Sequence, residues 1–281
     1  MLPSVKSSAG ARIPPIGLGT WQMEGAACER AVRAAIDAGY AHLDTARAYG
    51  NEAEVGRAIA ASGVDRGALF VTSKIPRDRL SAAGVAEVGE ESARRLGGYV
   101  DLMLIHWPNP SVRLENTIEA MRALQRRKLV RYIGVSNFPI KSLRRACQLA
   151  PVACNQVEYH PYLAQTAMKD ACRREGVVLT AYCPLARGRV LRDPVIRSVA
   201  GRVGRTPAQV VLRWLIQQQG VTAVPKSAHP ERIVENLRVD DFDLDQQDMA
   251  TIASLARGER LIDPPFAPRW GRARGRGRVG G

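Results

Sequence analysis

The sequence predicts an α/β chain closed into a single (β/α)8 TIM barrel, with an N-terminal hairpin and a basic C-terminal tail. Three observations carry this. Eight short apolar runs alternate with stretches of helical period; distinctive polar residues recur at the C-terminal ends of those runs; and 281 residues is close to the length one such barrel uses. In chain order the runs are 16–19, 41–44, 69–73, 100–105, 132–136, 153–157, 177–182 and 222–225. Ahead of them, 5–15 holds two short extended pieces around Ser8-Ala9-Gly10, the pattern of a hairpin at the barrel floor. Helix ends are marked as well: Asn51-x-x-Glu54 has the spacing of a capping box, Thr206-Pro207 sets a cap before a first-turn proline, and Gly176 and Gly220 follow helical runs. Two helical stretches, 193–203 and 206–219, lie between the seventh and eighth runs, so that connection carries an extra helix. No linker divides the chain, and residues 1–270 are expected to form the barrel.

Composition narrows the function. Hydrophobic residues at 46% and charged residues at 24% suit a soluble protein, and no apolar run approaches the roughly 20 residues of a membrane span. The start of the chain lacks a basic segment followed by an apolar one, which points to the cytoplasm. Five cysteines are scattered without a C-x-x-C pair, and four histidines lack ligand spacing, so neither a disulfide framework nor a metal site is expected. The formal charge of +14 is uneven: five arginines from Arg269 to Arg278 leave +9 for the preceding 268 residues. Gly271-Arg-Ala-Arg-Gly-Arg-Gly-Arg cannot bury a core, so 271–281 reads as a disordered tail. Without interleaved aromatics it makes nucleic-acid binding an accessory role at most.

The polar residues at the strand ends are Asp44, Lys74, His106, Ser136, Asn137, Gln156, Tyr182 and Lys226. In a (β/α)8 barrel these ends converge on one rim, where active sites form. An acid, a lysine, a histidine and the nearby Tyr49 make a group able to protonate a carbonyl oxygen. A phenol titrates near pH 10, and an adjacent ammonium at Lys74 is expected to lower that value, with Asp44 holding the ammonium charged. His106 is then placed to hydrogen-bond and orient the substrate oxygen.

At these positions the chain resembles the aldo-keto reductase family, over a span of about 13–270. The segments that carry the resemblance are Gly17-Leu-Gly-Thr-Trp21, His42-Leu-Asp-Thr-Ala-Arg-Ala-Tyr-Gly-Asn-Glu52, Thr72-Ser-Lys74, Leu104-Ile-His-Trp-Pro108, Gly134-Val-Ser-Asn-Phe138, Asn155-Gln-Val-Glu-Tyr-His-Pro161 and Pro225-Lys-Ser-Ala-His-Pro-Glu-Arg232 through Asn236. Within the family the likeness is to bacterial diketogluconate and methylglyoxal reductases. It implies a catalytic tetrad of Asp44, Tyr49, Lys74 and His106 in an NADP-dependent carbonyl reductase. It further implies that Ser136, Asn137 and Gln156 hold the nicotinamide carboxamide and that Tyr182 stacks on its ring. Groups around Cys183, Leu185 and Gly188 would face the pyrophosphate, and Lys226, Ser227, Arg232, Glu235 and Asn236 the adenosine end. Lys226 and Arg232 suit a 2′-phosphate, since two cations pair with a dianion that NAD lacks. Two features depart from the family pattern: the short loop 109–114 and the Arg-Gly tail.

Other residues have plainer readings. Trp21, Trp107 and Trp270 are expected to line the substrate pocket, whereas Trp214 reads as core. Glu158 and His160 are expected to be structural, and Arg187 to be a solvent-facing loop residue or a phosphate contact. Gly17-x-Gly19 lacks the third glycine and following acid of a Rossmann fingerprint. A short-chain dehydrogenase would place lysine four residues after its tyrosine, and none of the seven tyrosines has one. A non-catalytic NADP-binding barrel is the other alternative, against which the intact tetrad argues. The reductase reading expects a small carbonyl substrate, a monomer, and no membrane partner.

Overall fold

A computed structural model describes residues 3–270. Its frame is a sheet of eight parallel strands: β3 (Leu18–Gly19), β4 (His42–Asp44), β5 (Phe70–Ile75), β6 (Val100–Ile105), β7 (Val130–Ser136), β8 (Cys154–Glu158), β9 (Val178–Tyr182) and β10 (Val221–Ala223), paired in sequence order. An antiparallel hairpin of β1 (Val5–Lys6) and β2 (Arg12–Ile13) precedes it, as the sequence predicts. The expected tail at 271–281 lies outside the described residues.

The sheet closes between its first and last strands. Bridges join Ile16 to Ala223 and Gly19 to Lys226, and the Gly17 and Gly19 amides donate to the carbonyls of Ala223 and Pro225, each at 2.9 Å. Both glycines are needed for close approach. A Cβ on Gly17 would stand 2.5 Å from His42 Nδ1, and one on Gly19 would stand 3.0 Å from the Val224 carbonyl oxygen. The Gly17-x-Gly19 pair therefore serves the barrel seam and not a phosphate loop.

Helices α1 (Gly25–Asp37), α2 (Glu52–Ser62), α3 (Ala82–Arg95), α4 (Leu114–Arg126), α5 (Ile140–Leu149), α6 (Thr166–Glu175), α7 (Pro194–Val203), α8 (Pro207–Ile216) and α9 (Pro230–Leu237) follow the strands in turn, and α10 (Gln246–Ala253) comes last. The pair α7 and α8 is the extra helix expected between β9 and β10. Strand alternation sorts the apolar residues into two bodies. Val71, Ile75, Met103, Ile105, Val135, Val157 and Leu179 face outward into the main core with the helices. Phe70, Leu102, Leu104, Cys154 and Val178 face inward and are plugged from below by Ala11 and Ile13 of the hairpin. Along β5 the inward residues then run Phe70, Thr72, Lys74, so the barrel interior turns from apolar at the floor to charged at the rim.

Two local expectations meet different fates. Thr206 forms a complete capping box with Gln209. Asn51 does not cap α2: its side-chain amide donates to the carbonyls of Thr20 (2.8 Å) and Met23 (3.0 Å) and accepts from Thr45 Oγ1 (2.7 Å), while Glu54 pairs with Arg57. The Asn51 oxygen that a cap would use is taken by Thr45 Oγ1 and its amide hydrogens by two buried carbonyls of the loop after β3, so Asn51 ties that loop to its own, after β4.

Candidate active site

The ends of β4 and β5 carry Asp44 and Lys74, and the loops after β4 and β6 bring Tyr49 and His106 to them. Lys74 and Asp44 are almost fully buried, at 1% and 3% exposure, whereas Tyr49 and His106 lie half-buried above them. All three N–H donors of the Lys74 ammonium are engaged: to Asp44 Oδ1 at 2.6 Å, to the Thr45 carbonyl at 2.9 Å and to Tyr49 Oη at 3.2 Å. The second Asp44 oxygen accepts from Gln156 Nε2 at 2.6 Å. The Tyr49 and His106 rings meet edge to face at 5.7 Å. A buried ion pair holds only when its remaining valences are satisfied, and here Thr45 and Gln156 satisfy them.

Burial by itself would lower the Lys74 pKa, yet Asp44 and Tyr49 more than offset it and the net shift is upward, so the ammonium stays charged. For Tyr49 burial is the largest influence and raises the phenol above its ordinary value; Lys74 pulls it down and Asp44 pushes it up. The expected lowering by Lys74 is present, but burial exceeds it. The phenol therefore keeps its proton at neutral pH, with the Lys74 N–H directed at its oxygen. Burial, reinforced by Lys74, drives His106 down to about 3, so the imidazole is neutral and offers an uncharged hydrogen bond.

Beside this group lies a network of side-chain amides and hydroxyls. Ser136 Oγ donates to the Gln156 carbonyl (2.9 Å), Asn137 Nδ2 donates to the His106 carbonyl (3.0 Å), and Tyr182 Oη donates to Asn137 Oδ1 (2.8 Å). Asn137, Cys183, Ala186 and Arg187 have positive φ (62°, 52°, 48° and 54°) although none is glycine. This left-handed backbone costs a non-glycine residue roughly 1–2 kcal/mol, and such strain tends to gather at ligand clamps. Across the seam, Lys226 and Arg232 are exposed and in no ion pair among the described residues. Ser227 Oγ is occupied by the turn at His229, and one Glu235 oxygen accepts from Thr206 Oγ1 at 2.6 Å. Leu185 and Gly188 belong to the same strained loop, and Asn236 is on the buried face of α9.

The tryptophans differ in surroundings. Trp21 is 43% exposed with the Arg187 guanidinium 5.9 Å from its ring, so the loops after β3 and β9 meet across the mouth. Trp107 is buried edge-on against Phe266. Trp270 stacks on Arg260 at 4.0 Å. Trp214 is core, as expected.

Sequence reasoning missed how Glu158 is used. Its fully buried carboxylate accepts the amides of Leu261 (2.7 Å) and Ile262 (3.1 Å), contacts His160 Nε2 (3.0 Å) and faces Arg260 (3.6 Å). Arg189 and Arg257 both pair with Glu259. The C-terminal segment is thereby fastened to the end of β8 and to the loop after β9. The sequence signal available was that Glu158 shares the parity of Gln156 and so faces inward.

Comparison with known proteins places these features in context. The sequence model of the aldo/keto reductase family matches residues 15–257. An aldo-keto reductase of Mycolicibacterium smegmatis is 43% identical over 269 residues, covering 94% of this chain and 98% of the relative. A solved structure provisionally assigned as a 2,5-diketo-D-gluconic acid reductase B superposes with a TM-score of 0.93 at 42% identity, covering 96% of this chain and 98% of the other. An aldo-keto reductase enzyme from a Medee basin deep-sea metagenome library gives 0.89 at 37% identity over 92% of this chain and 97% of its own.

Proposed function

The chain belongs to the aldo/keto reductase family, and we propose that it reduces aldehydes or ketones to alcohols with NADPH, using Tyr49 as the proton donor. The observation that carries this reading is the Lys74 ammonium, which contacts both Asp44 and Tyr49 Oη from inside a closed barrel. NADPH, when bound, supplies hydride to the carbonyl carbon. The Tyr49 hydroxyl then gives its proton to the carbonyl oxygen, and the resulting phenolate oxygen is stabilised by the Lys74 N–H already aimed at it. Neutral His106 donates a hydrogen bond to the same carbonyl oxygen and sets its angle.

The residues present fit the cofactor. Ser136, Asn137 and Gln156, networked beside the tetrad, would hold the nicotinamide carboxamide, Tyr182 would offer a ring for stacking, and the left-handed backbone at Cys183 and Ala186–Gly188 would turn amides toward a diphosphate. Lys226 and Arg232, exposed and without ion partners among the described residues, suit the 2′-phosphate, with Ser227, Glu235 and Asn236 beside them. Trp21, Trp107 and Trp270 would wall a pocket for small aldehydes, α-keto aldehydes or sugar-derived ketones. The enzyme would act as a cytoplasmic monomer, with no part in the reaction for a membrane or a nucleic acid.

The test is NADPH and NADH oxidation with methylglyoxal, an aromatic aldehyde and a diketo sugar acid. Turnover of at least one with NADPH preferred supports the reading. Absence of turnover on all three, or preference for NADH, counts against it.

A further inference from the structure

A cavity of about 630 Å3 opens outside the barrel mouth, within the roughly 300–1,000 Å3 range of small-molecule sites. Its apolar walls include Ile105 and Phe138, both buried, and the ring of Phe266, which is 46% exposed. Neither Tyr49, Lys74 nor His106 lines it. Three cations do: Arg77, Lys141 and Arg269. No aspartate or glutamate is among its lining residues, and none of the three cations is in an ion pair among the described residues. Elsewhere on this surface arginines pair freely with carboxylates, so three cations without a carboxylate partner around one apolar hollow, Arg77 among them at 5.4 Å from the Phe266 ring, leave a local charge for a ligand to answer.

The geometry points to an accessory binding site for an apolar carboxylate, an aryl or acyl acid whose body lies on Phe266 and Phe138 and whose anionic end meets Arg77, Lys141 and Arg269. Apolar burial supplies a non-directional attraction, and the cations select the charge. The site sits directly behind the turn that carries His106. Arg77 Nε donates to the Pro108 carbonyl at 3.3 Å, and Asn109 Nδ2 donates to the Arg77 carbonyl at 3.1 Å. Phe266 in turn meets Trp107 edge-on at 5.6 Å. A ligand that shifts Phe266 is therefore felt at Trp107, one residue from His106.

The experiment is equilibrium dialysis of 2-naphthoate and of the uncharged 2-naphthalenemethanol against the full chain and against Lys141→Glu and Arg269→Glu. Both residues are exposed, and unchanged melting temperatures would show the variants folded. The expected result is one saturable naphthoate per chain and weaker binding of the alcohol. Each charge reversal should weaken naphthoate by about fivefold, a change in keeping with exposed charge contacts. The binding readout is independent of turnover, so a failed reductase assignment and a failed accessory site are distinguishable. The proposal is overturned by absence of saturable binding, by equal affinity for the uncharged alcohol, by naphthoate binding unchanged in both variants, or by competitive displacement of naphthoate by methylglyoxal or NADP.

Discussion

The strand ends and the C-terminal segment build the same rim by opposite means. Asp44, Lys74 and Gln156 project from neighbouring or facing strands whose register is fixed by ladder hydrogen bonds, and their contacts of 2.6 Å follow from that register. Residues 257–270 form no helix or strand and are held at separate points: the Glu158 carboxylate, the Tyr162 carbonyl, which accepts the Arg257 and Glu259 amides at 3.1 and 3.0 Å, the Arg189–Glu259–Arg257 pairs and the Trp107–Phe266 contact. On the proposed function, proton chemistry falls to parts that cannot shift without disturbing the barrel, and substrate selection to a strap tied at separate points. Such a strap can change its side chains at little cost to the fold, which is how one scaffold supports different substrates.

Breaking the strand-end half should have the largest effect. Lys74→Met removes the charge that holds the Tyr49 oxygen and leaves the Asp44 carboxylate with Gln156 alone. Turnover should fall by about 10²–10⁴-fold, the scale of a disabled proton transfer, while the Kd for NADPH changes little. Steady-state kinetics and a cofactor titration check both halves; turnover near that of the parent would separate Lys74 from the chemistry.

The cofactor's far end is next in size. Arg232→Ala should weaken NADPH by about ten- to a hundredfold, since a hydrogen bond to a charged group contributes roughly 1.5–3 kcal/mol. NADH should be unaffected. Titrations at fixed ionic strength decide it, and equal weakening of both cofactors would show that Arg232 does not read the 2′-phosphate.

The strap itself is tested by Glu158→Gln, which removes the charge facing Arg260 and sets an amide N–H against one of the Leu261 and Ile262 donors. The expected outcome is a KM for the carbonyl raised by about tenfold, kcat within about threefold of the parent, and faster proteolysis after residue 257. A fall in kcat with KM unchanged would place Glu158 with the rigid half instead.

Acid should act on the barrel interior more gently. Burial lowers His42 to about 4 and His106 to about 3, both below the ordinary value near 6.5. Between these limits the unfolded chain binds more protons than the folded one. The stability carried by two neutral imidazoles is thus complete above about pH 6.5 and is lost as the pH falls toward 4 and then 3. The melting temperature should drop over that interval, and His42→Asn should drop less steeply; a flat profile from pH 7 to 4 would contradict the burial of neutral imidazoles.

What could be read from the sequence follows the same division. Strand 100–105 matches its predicted bounds, and the last strand stops at Ala223, short of the predicted Pro225, although Val224 still donates to the Ala181 carbonyl and Pro225 still accepts from Gly19. Asp44, Lys74 and His106 were visible because a barrel gathers strand ends whatever the sequence between them. The direction of the Tyr49 shift was not visible, since it depends on burial that no local pattern records. Asn51 looked like a cap because two of the groups that fix its side chain, the Thr20 and Met23 carbonyls, lie about thirty residues away. Glu158 looked merely structural because its partners Leu261 and Ile262 lie more than a hundred residues downstream.

The most direct test of the central claim is single-turnover hydride transfer in Tyr49→Phe, with NADPH and the best carbonyl substrate mixed at saturation. The variant keeps the ring against His106 and loses only the hydroxyl. The account predicts an NADPH Kd within about twofold of the parent and a reduction rate lowered by about 10²-fold or more, as for loss of a general acid. A single-turnover rate close to that of the parent would show that the proton reaches the carbonyl by another route, and would remove Tyr49 from the reaction.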